Sequence, residues 1–138
     1  MAKLGSRASY GGTVVEEITA AKTLDPSDSG KVFTINAASA YTVSLPKAAD
    51  AGAGWNCKFI VTTGGSADVT IAPDSSEDTL IGMIASADGS NAESSHTGVD
   101  ELKFLSACEP GEWAELLCDG SNFYVSGMEH DSNHMSLA

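Results

Sequence analysis

A chain of 138 residues and 14.1 kDa, 42% of it hydrophobic, is sized for one domain with one core, burying about two-thirds of its unfolded surface; disorder of the whole chain is not expected. Seven Lys and Arg against 19 Asp and Glu leave a formal charge of -12, which argues against direct nucleic acid binding and against an anionic membrane surface. The opening MAKLGSRASYGG lacks the apolar run of a signal peptide, no window has the length of a membrane span, and three cysteines do not make a secreted disulfide framework.

These features together predict synthesis in a reducing cytoplasm, with Cys57 and Cys108 or Cys118 buried as small hydrophobes. Residues 1–12 are small, polar and Gly-rich, and read as a flexible N-terminal arm that only a neighbour would order. TVVEEIT, residues 13–19, reads as a first strand at a sheet edge. Turn chemistry follows at Asp25–Pro26 and Ser29–Gly30. In KVFTIN (31–36) and YTVSL (41–45) apolar residues alternate with polar ones, the period of a strand with one buried face. Pro46 stops the second run, and the short NAASA link favours antiparallel pairing of the two.

Trp55, Cys57, Phe59 and Val61 alternate along a further strand, and Gly64–Gly65 supply a turn. ADVTIAP then places Val69 and Ile71 on one face. TLIGMI (79–84) is apolar, with Gly82 marking a bulge or bend. Residues 85–98 have almost nothing to bury and read as a long exposed loop suited to partner contact. Leu102, Phe104 and Leu105 lead to EPGE, read as a hairpin turn. WAELLC, the DGSN turn and FYVSG close the sheet, and MEHDSNHMSLA has weak pattern. Seven to nine short strands with frequent turns predict an all-β fold, an antiparallel β-sandwich of jelly-roll-like type. The expected division is arm 1–12, sandwich domain 13–127 and C-terminal tail 128–138.

Candidate chemistry is sparse. Cys108 and Cys118 with His130 and His134 form the one grouping resembling a metal site, but nine residues separate the cysteines, against roughly two to four in structural zinc sites. The same cysteines could meet across the EPGE turn and oxidise once a particle leaves the cell. Ser94 and Ser95 beside His96 are neighbours in sequence rather than a triad. DSGK at 28–31 lacks the upstream glycine of a phosphate loop. PDSSED (73–78) could collect a weakly held calcium, though a solvated acidic turn explains it better. No metal, cofactor or catalytic residue is therefore assigned, and an enzyme is not expected. Trp55 and Trp113 each begin a strand near a turn, as core or interface anchors do.

The segment LDPSDSGKVFTINAASAYTVSLPKAADAGAGWNCKFIVTTGG, residues 24–65, resembles a module of tailed-bacteriophage structural proteins. DSGKVF, the strand ending in SLP, the Ala/Gly turn and WNCKFIV carry the likeness, and VTIAP, DTLIGM and DGSNFYVSG fit its layout over some 100 residues. Such modules occur in tail fibres and in small capsid decoration proteins. A chain this short that opens with Met1 is read as complete, which favours decoration over a fibre subunit.

The resemblance then implies a homotrimer on the virion's capsid surface, made in the host cytoplasm and seated where major capsid proteins meet. Residue type and position nominate Leu4, Tyr10, Trp55 and Trp113 as interface residues. The rival readings are a tail-associated or receptor-binding module and a small metal-dependent β-barrel enzyme.

Overall fold

The computed structural model describes residues 12–76, 80–90 and 93–138, without the Glu93 side chain. The strands are β1 (Val15–Ile18), β2 (Lys22–Thr23), β3 (Lys31–Asn36), β4 (Tyr41–Ser44), β5 (Ala53–Thr63) and β6 (Val69–Ala72). They continue with β7 (Leu80–Ser86), β8 (Glu93–Val99), β9 (Leu102–Phe104), β10 (Trp113–Asp119), β11 (Phe123–Glu129) and β12 (Met135–Leu137). A 3-10 turn at Pro26–Asp28 and one helical turn, α1 (Ala48–Ala51), are the helical pieces of the described chain.

Two sheets face each other, in the orders β1-β3-β5-β10-β11-β7-β8 and β12-β9-β6-β4-β2. The all-β sandwich stands, but the sheets are mixed rather than antiparallel as in a jelly roll. From β1 to β6 the chain crosses from one sheet to the other at every step. Each second strand therefore returns to its sheet in the same direction. β1, β3 and β5 pair parallel, Val15 opposite Val32 and Val32 opposite Lys58, and β2, β4 and β6 do likewise. KVFTIN and YTVS, expected to pair with each other, lie in opposite sheets. Their NAASA link is a corner of this flattened coil.

The corners stack through the backbone, because the polar groups of a tight crossing must be satisfied within the chain. At one side Leu24 donates to the Ser44 carbonyl and Leu45 to that of Ala72, each at 2.8 Å. At the other, Ser66 donates to the Ala37 carbonyl at 3.1 Å, and Gly65 to that of Cys108 at 2.9 Å. The Tyr41 hydroxyl, buried against the first corner, donates to the Ile18 carbonyl at 2.7 Å.

The remaining strands close the larger sheet. The hairpin β10–β11, turned at residues 120–122 as the DGSN signal indicates, lies between β5 and β7. β10 pairs antiparallel with β5, and β11 pairs parallel with β7. The segment 105–112 joins β9 to β10 in different sheets, so EPGE is a crossing rather than a hairpin. The expected 85–98 loop is also corrected: β7 runs on to Ser86, and β8 is a strand paired with β7 at the sheet edge. Its first six residues, ESSHTG, carry no large apolar side chain and hid it, because an edge strand needs backbone partners more than burial.

The inward residues form one cluster. Phe33 and Phe59 stack at 5.6 Å between ring centres, and Phe104 and Phe123 are fully buried; each contributes about 1.5–3 kcal/mol by burial. At the open edge between β1 and β2, charge replaces this cluster. Glu16 on β1 accepts from Lys22 and from Lys31, and Lys31 also reaches the buried Asp28 carboxylate.

Inside β7, Gly82 has φ +155° and lies directly against β11. A Cβ there would sit 1.9 Å from the Val125 carbonyl oxygen. The pairing with β8 shifts register between Leu80 and Gly82, so the irregularity expected at this glycine is present.

The last eleven residues, read as a tail of weak pattern, are built into the sandwich. Met128 and Glu129 belong to β11, and β12 pairs with β9, Met135 and Leu137 being buried. Buried polar groups hold this end. Glu112 accepts from the Glu109 and His130 amides at 3.0 and 2.9 Å and from His134 Nδ1 at 2.6 Å. Glu129 Oε2 accepts from the His134 and Met135 amides at 3.0 and 2.6 Å. Its Oε1 is buried without a partner.

All three cysteines are buried and no disulfide joins Cys108 to Cys118. The Cys118 thiol donates to the Ala48 carbonyl at 3.5 Å and accepts from the Gly120 amide. Burial pushes the Cys57 thiol far above its ordinary range. Burial, with the Glu112 charge adding to it, pushes Cys108 up to about 11. Native protein is therefore expected to react slowly with a disulfide reagent at about pH 8, since only the thiolate attacks. The denatured protein should titrate three thiols; a value of one would reveal a disulfide.

Candidate interaction surface

The larger sheet turns its other face to solvent. On β10 Ala114, Leu116 and Cys118 point inward, so Trp113, Glu115 and Leu117 point outward. On β11 the outward residues are Tyr124, Ser126 and Met128. Register places Trp113 between Ile60 and Met128, Glu115 between Lys58 and Ser126, and Leu117 between Asn56 and Tyr124. Ile81 on β7 lies opposite Tyr124, and Met83 opposite Ser126.

This face is unusually apolar for one open to water. Met83 is 62% exposed, Leu117 52%, and Tyr124 and Met128 44% each, with Val15 at 62% on the edge strand. Large apolar side chains grouped on one sheet face mark an interaction surface more often than singly scattered ones do. A groove of about 550 Å³ crosses the face, with Thr13, Val32, Lys58, Glu115, Leu117 and Tyr124 along it. Lys58 Nζ lies over the Trp113 ring, 4.6 Å from its centre, a cation–π contact. The Tyr124 hydroxyl donates to Asp119 at 3.2 Å, and that carboxylate raises the phenol pKa. Aromatic, methionine and aliphatic groups around a few polar tips form the composition of a protein-binding patch.

The nominated interface residues separate. Trp113 is on this face, half-buried beneath Lys58. Trp55 is not: it is 3% exposed, edge-on to Phe123 at 5.8 Å, with its Nε1 donating to the Asp25 carbonyl at 3.2 Å. Its alternation with Cys57, Phe59 and Val61 drew it into the core. Leu4 and Tyr10 lie outside the described residues. Leu117, Tyr124, Met128 and Met83 were missed. The outward parity of WAELLC and FYVSGM held the signal, but both parities of WAELLC carry large apolar residues, which hides the exposed one.

The other candidate groups do not assemble into a centre. Among the described residues no three His, Cys, Asp or Glu side chains are placed to hold a metal ion. His134 is bonded to Glu112, and the His130 ring meets the Pro110 carbonyl at 3.2 Å. Ser94 and His96 are exposed on β8, while Ser95 points inward. Asp74 accepts from the amide and hydroxyl of Ser76, which lowers its pKa; Glu77 and Asp78 of that acidic turn lie outside the described residues. Asp28 of DSGK caps the 3-10 turn by accepting from the Asp25 amide. No family model, curated protein or solved structure matches the chain.

Proposed function

We propose that the protein is a structural component of a phage particle: it binds the outer surface of the capsid and stabilises contacts between major capsid proteins. The exposed apolar and aromatic face of the larger sheet is the observation that carries this reading. It supplies the surface that a module acting by association requires. The likeness of residues 24–65 to phage structural modules supports the particle as the setting. In this reading the protein acts as a homotrimer, so that one symmetric unit spans a joint among several capsid subunits. A decoration protein favours the assembled shell by mass action, since anything that binds the assembled state preferentially stabilises it. The net charge of -12 keeps unbound copies apart in solution.

The test is co-sedimentation with capsids that lack small surface proteins. Wild-type protein should pellet with the shells and raise their melting temperature. Replacing Tyr124 and Met128 with alanine should weaken binding at least about ten-fold, the loss of roughly 1.4 kcal/mol at an anchor pair. Failure of wild-type protein to bind any capsid sinks the proposal, whereas equal binding by the variant moves the interface to another face.

A further inference from the structure

Strand β12 is three residues long and forms one edge of the smaller sheet. Its backbone bonds are few. The Leu105 amide donates to the His134 carbonyl at 2.8 Å, and Glu101 and Ala138 exchange bonds at 2.8 and 2.9 Å. The chain enters the strand through Asn133 at φ +74°, a conformation that costs residues other than glycine. A strand so short needs an anchor besides its ladder.

That anchor is Glu129. Its Oε2 accepts from the His134 and Met135 amides, and its Oε1 is buried without a partner. A buried carboxylate oxygen with no donor is costly unless the group is neutral or the surroundings open to water. A proton on the carboxyl removes the charge and leaves both amide bonds at Oε2 in place. Once the proton is lost, hydration of the bare Oε1 works against the closed strand. We infer that Glu129 is a proton-operated latch on β12: protonated it keeps the strand seated, and ionised it lets the strand open while the rest of the sandwich stands.

The surroundings favour the neutral form. Burial is the largest influence on the Glu129 carboxyl, and with the facing Glu112 charge it outweighs the two amides and His134, so the pKa is raised above 4.5. Glu109 and Asp131 face His134 in turn, and the Cys108 thiol lies by Glu112. β7 and β12 carry no titratable side chain. On β10 Glu115 points outward, and Cys118 and Asp119 lie at the far end of the strand. His96 of β8 is exposed, and Lys103 of β9 is tied to Glu101. β9 keeps its other neighbour when β12 opens, since Val69, Thr70 and Ile71 of β6 pair with Phe104, Lys103 and Leu102. It then becomes the rim of the smaller sheet and presents the backbone that Met135–Leu137 had paired.

Native-state hydrogen exchange in low urea tests this in the full chain. The reporters are the amides of Met135, Leu105 and Glu101, each of which loses its acceptor when β12 opens. The window from about pH 5 to 6.5 lies above the ordinary range of a glutamate and below the release of the His134 proton. A raised pKa in the closed state favours closing at low pH, and that advantage is lost as pH rises, by at most about ten-fold per unit for one proton. Protection corrected for intrinsic exchange should fall at least about three-fold across the window. It should not respond to urea, because a local opening exposes little surface, whereas amides of β10 and β11 should respond. Glu129→Gln, neutral at every pH, should hold protection level. Level protection in the wild-type chain overturns the inference. So does a fall that shares the urea dependence of β10 and β11, because the strand then leaves only with the whole fold. Both wild-type outcomes are decisive whether or not the variant folds. A fall of equal size in Glu129→Gln places the proton on another group and overturns the inference as well.

Discussion

Gly82→Ala is expected to destabilise the protein by about 3–5 kcal/mol, the range in which a single substitution points to a steric collision inside a core. The added Cβ would lie 1.9 Å from the Val125 carbonyl oxygen and 2.7 Å from its carbon. Both are backbone atoms and cannot rotate aside. Val125 is in mid-strand, opposite Leu116 on β10 and Gly82 on β7, so moving it breaks a ladder on one side or the other. The φ of +155° adds strain that only glycine avoids. Gly89→Ala is the control: its φ is +75° but nothing lies within 4 Å of its Cβ, so its cost is the conformational one alone, about 1–2 kcal/mol. Urea denaturation of the two variants separates steric collision from backbone preference. A Gly82→Ala protein within about 1 kcal/mol of wild type would mean that β7 does not lie against β11 in this register.

The second large effect is at Glu112. Glu112→Ala strips the acceptor from two backbone amides and from His134, and should cost about 3–5 kcal/mol, as removal of one partner from a buried charged pair does. The milder Glu112→Gln keeps an acceptor but loses the charge, and its signature is in the pH profile. Burial opposes a charge on His134, yet the Glu112 carboxylate bonded to Nδ1 more than offsets it, and the pKa is raised above 6.5. A raised folded pKa gives stability that is complete below the unfolded value and is lost as pH rises through the folded one.

Glu129, raised above 4.5 by burial against its amide bonds, has the same sign: protonation favours the fold, and that contribution fades as pH rises. Asp28 and Glu16 oppose them. Burial of Asp28 is outweighed by its bonds to Lys31 and the Asp25 amide, and Glu16 is held down by Lys22 and Lys31. Their contributions are present above the ordinary carboxylate range and vanish as pH falls. Wild-type stability should therefore decline on both sides of mildly acidic pH. On the alkaline side the slope is at most about 1.4 kcal/mol per pH unit for one proton. In Glu112→Gln the decline above 6.5 should flatten. Wild-type urea midpoints that hold steady or rise between about pH 6 and 9 would refute a charged His134–Glu112 pair.

The fold class was legible because alternation is a local property. Phe33 and Ile35, Tyr41 and Val43, and Val69 and Ile71 each announced a buried face, and each is buried. Strand pairing was not legible. The NAASA link is as short as a hairpin loop, and nothing in its residues distinguishes a turn back along one sheet from a crossing to the other. The 85–98 segment was misread because β8 is held by hydrogen bonds to one neighbour, which leave no mark on side-chain hydrophobicity. Glu129 and His134 looked like tail residues, since a buried carboxylate looks like an exposed one until its backbone donors are seen. The exposed apolar face was half legible: Trp113 was singled out by type, while Leu117 and Tyr124 vanished into strands that read as core on both sides.

The position of the β10–β11 hairpin bears on the order in which this molecule can come into being. During synthesis β1, β3 and β5 emerge first and β7 with β8 next, yet in the finished sheet these two groups never touch. The hairpin that joins them, residues 113–129, is made after both. Until then the growing chain has two unfinished sheet fragments, each with an open edge, and the pairings of β5 with β10 and of β7 with β11 must wait for it. Non-local pairing of this kind slows folding. The larger sheet thus closes late in the order of synthesis, and a copy cut short before the hairpin carries exposed strand edges open to wrong pairing.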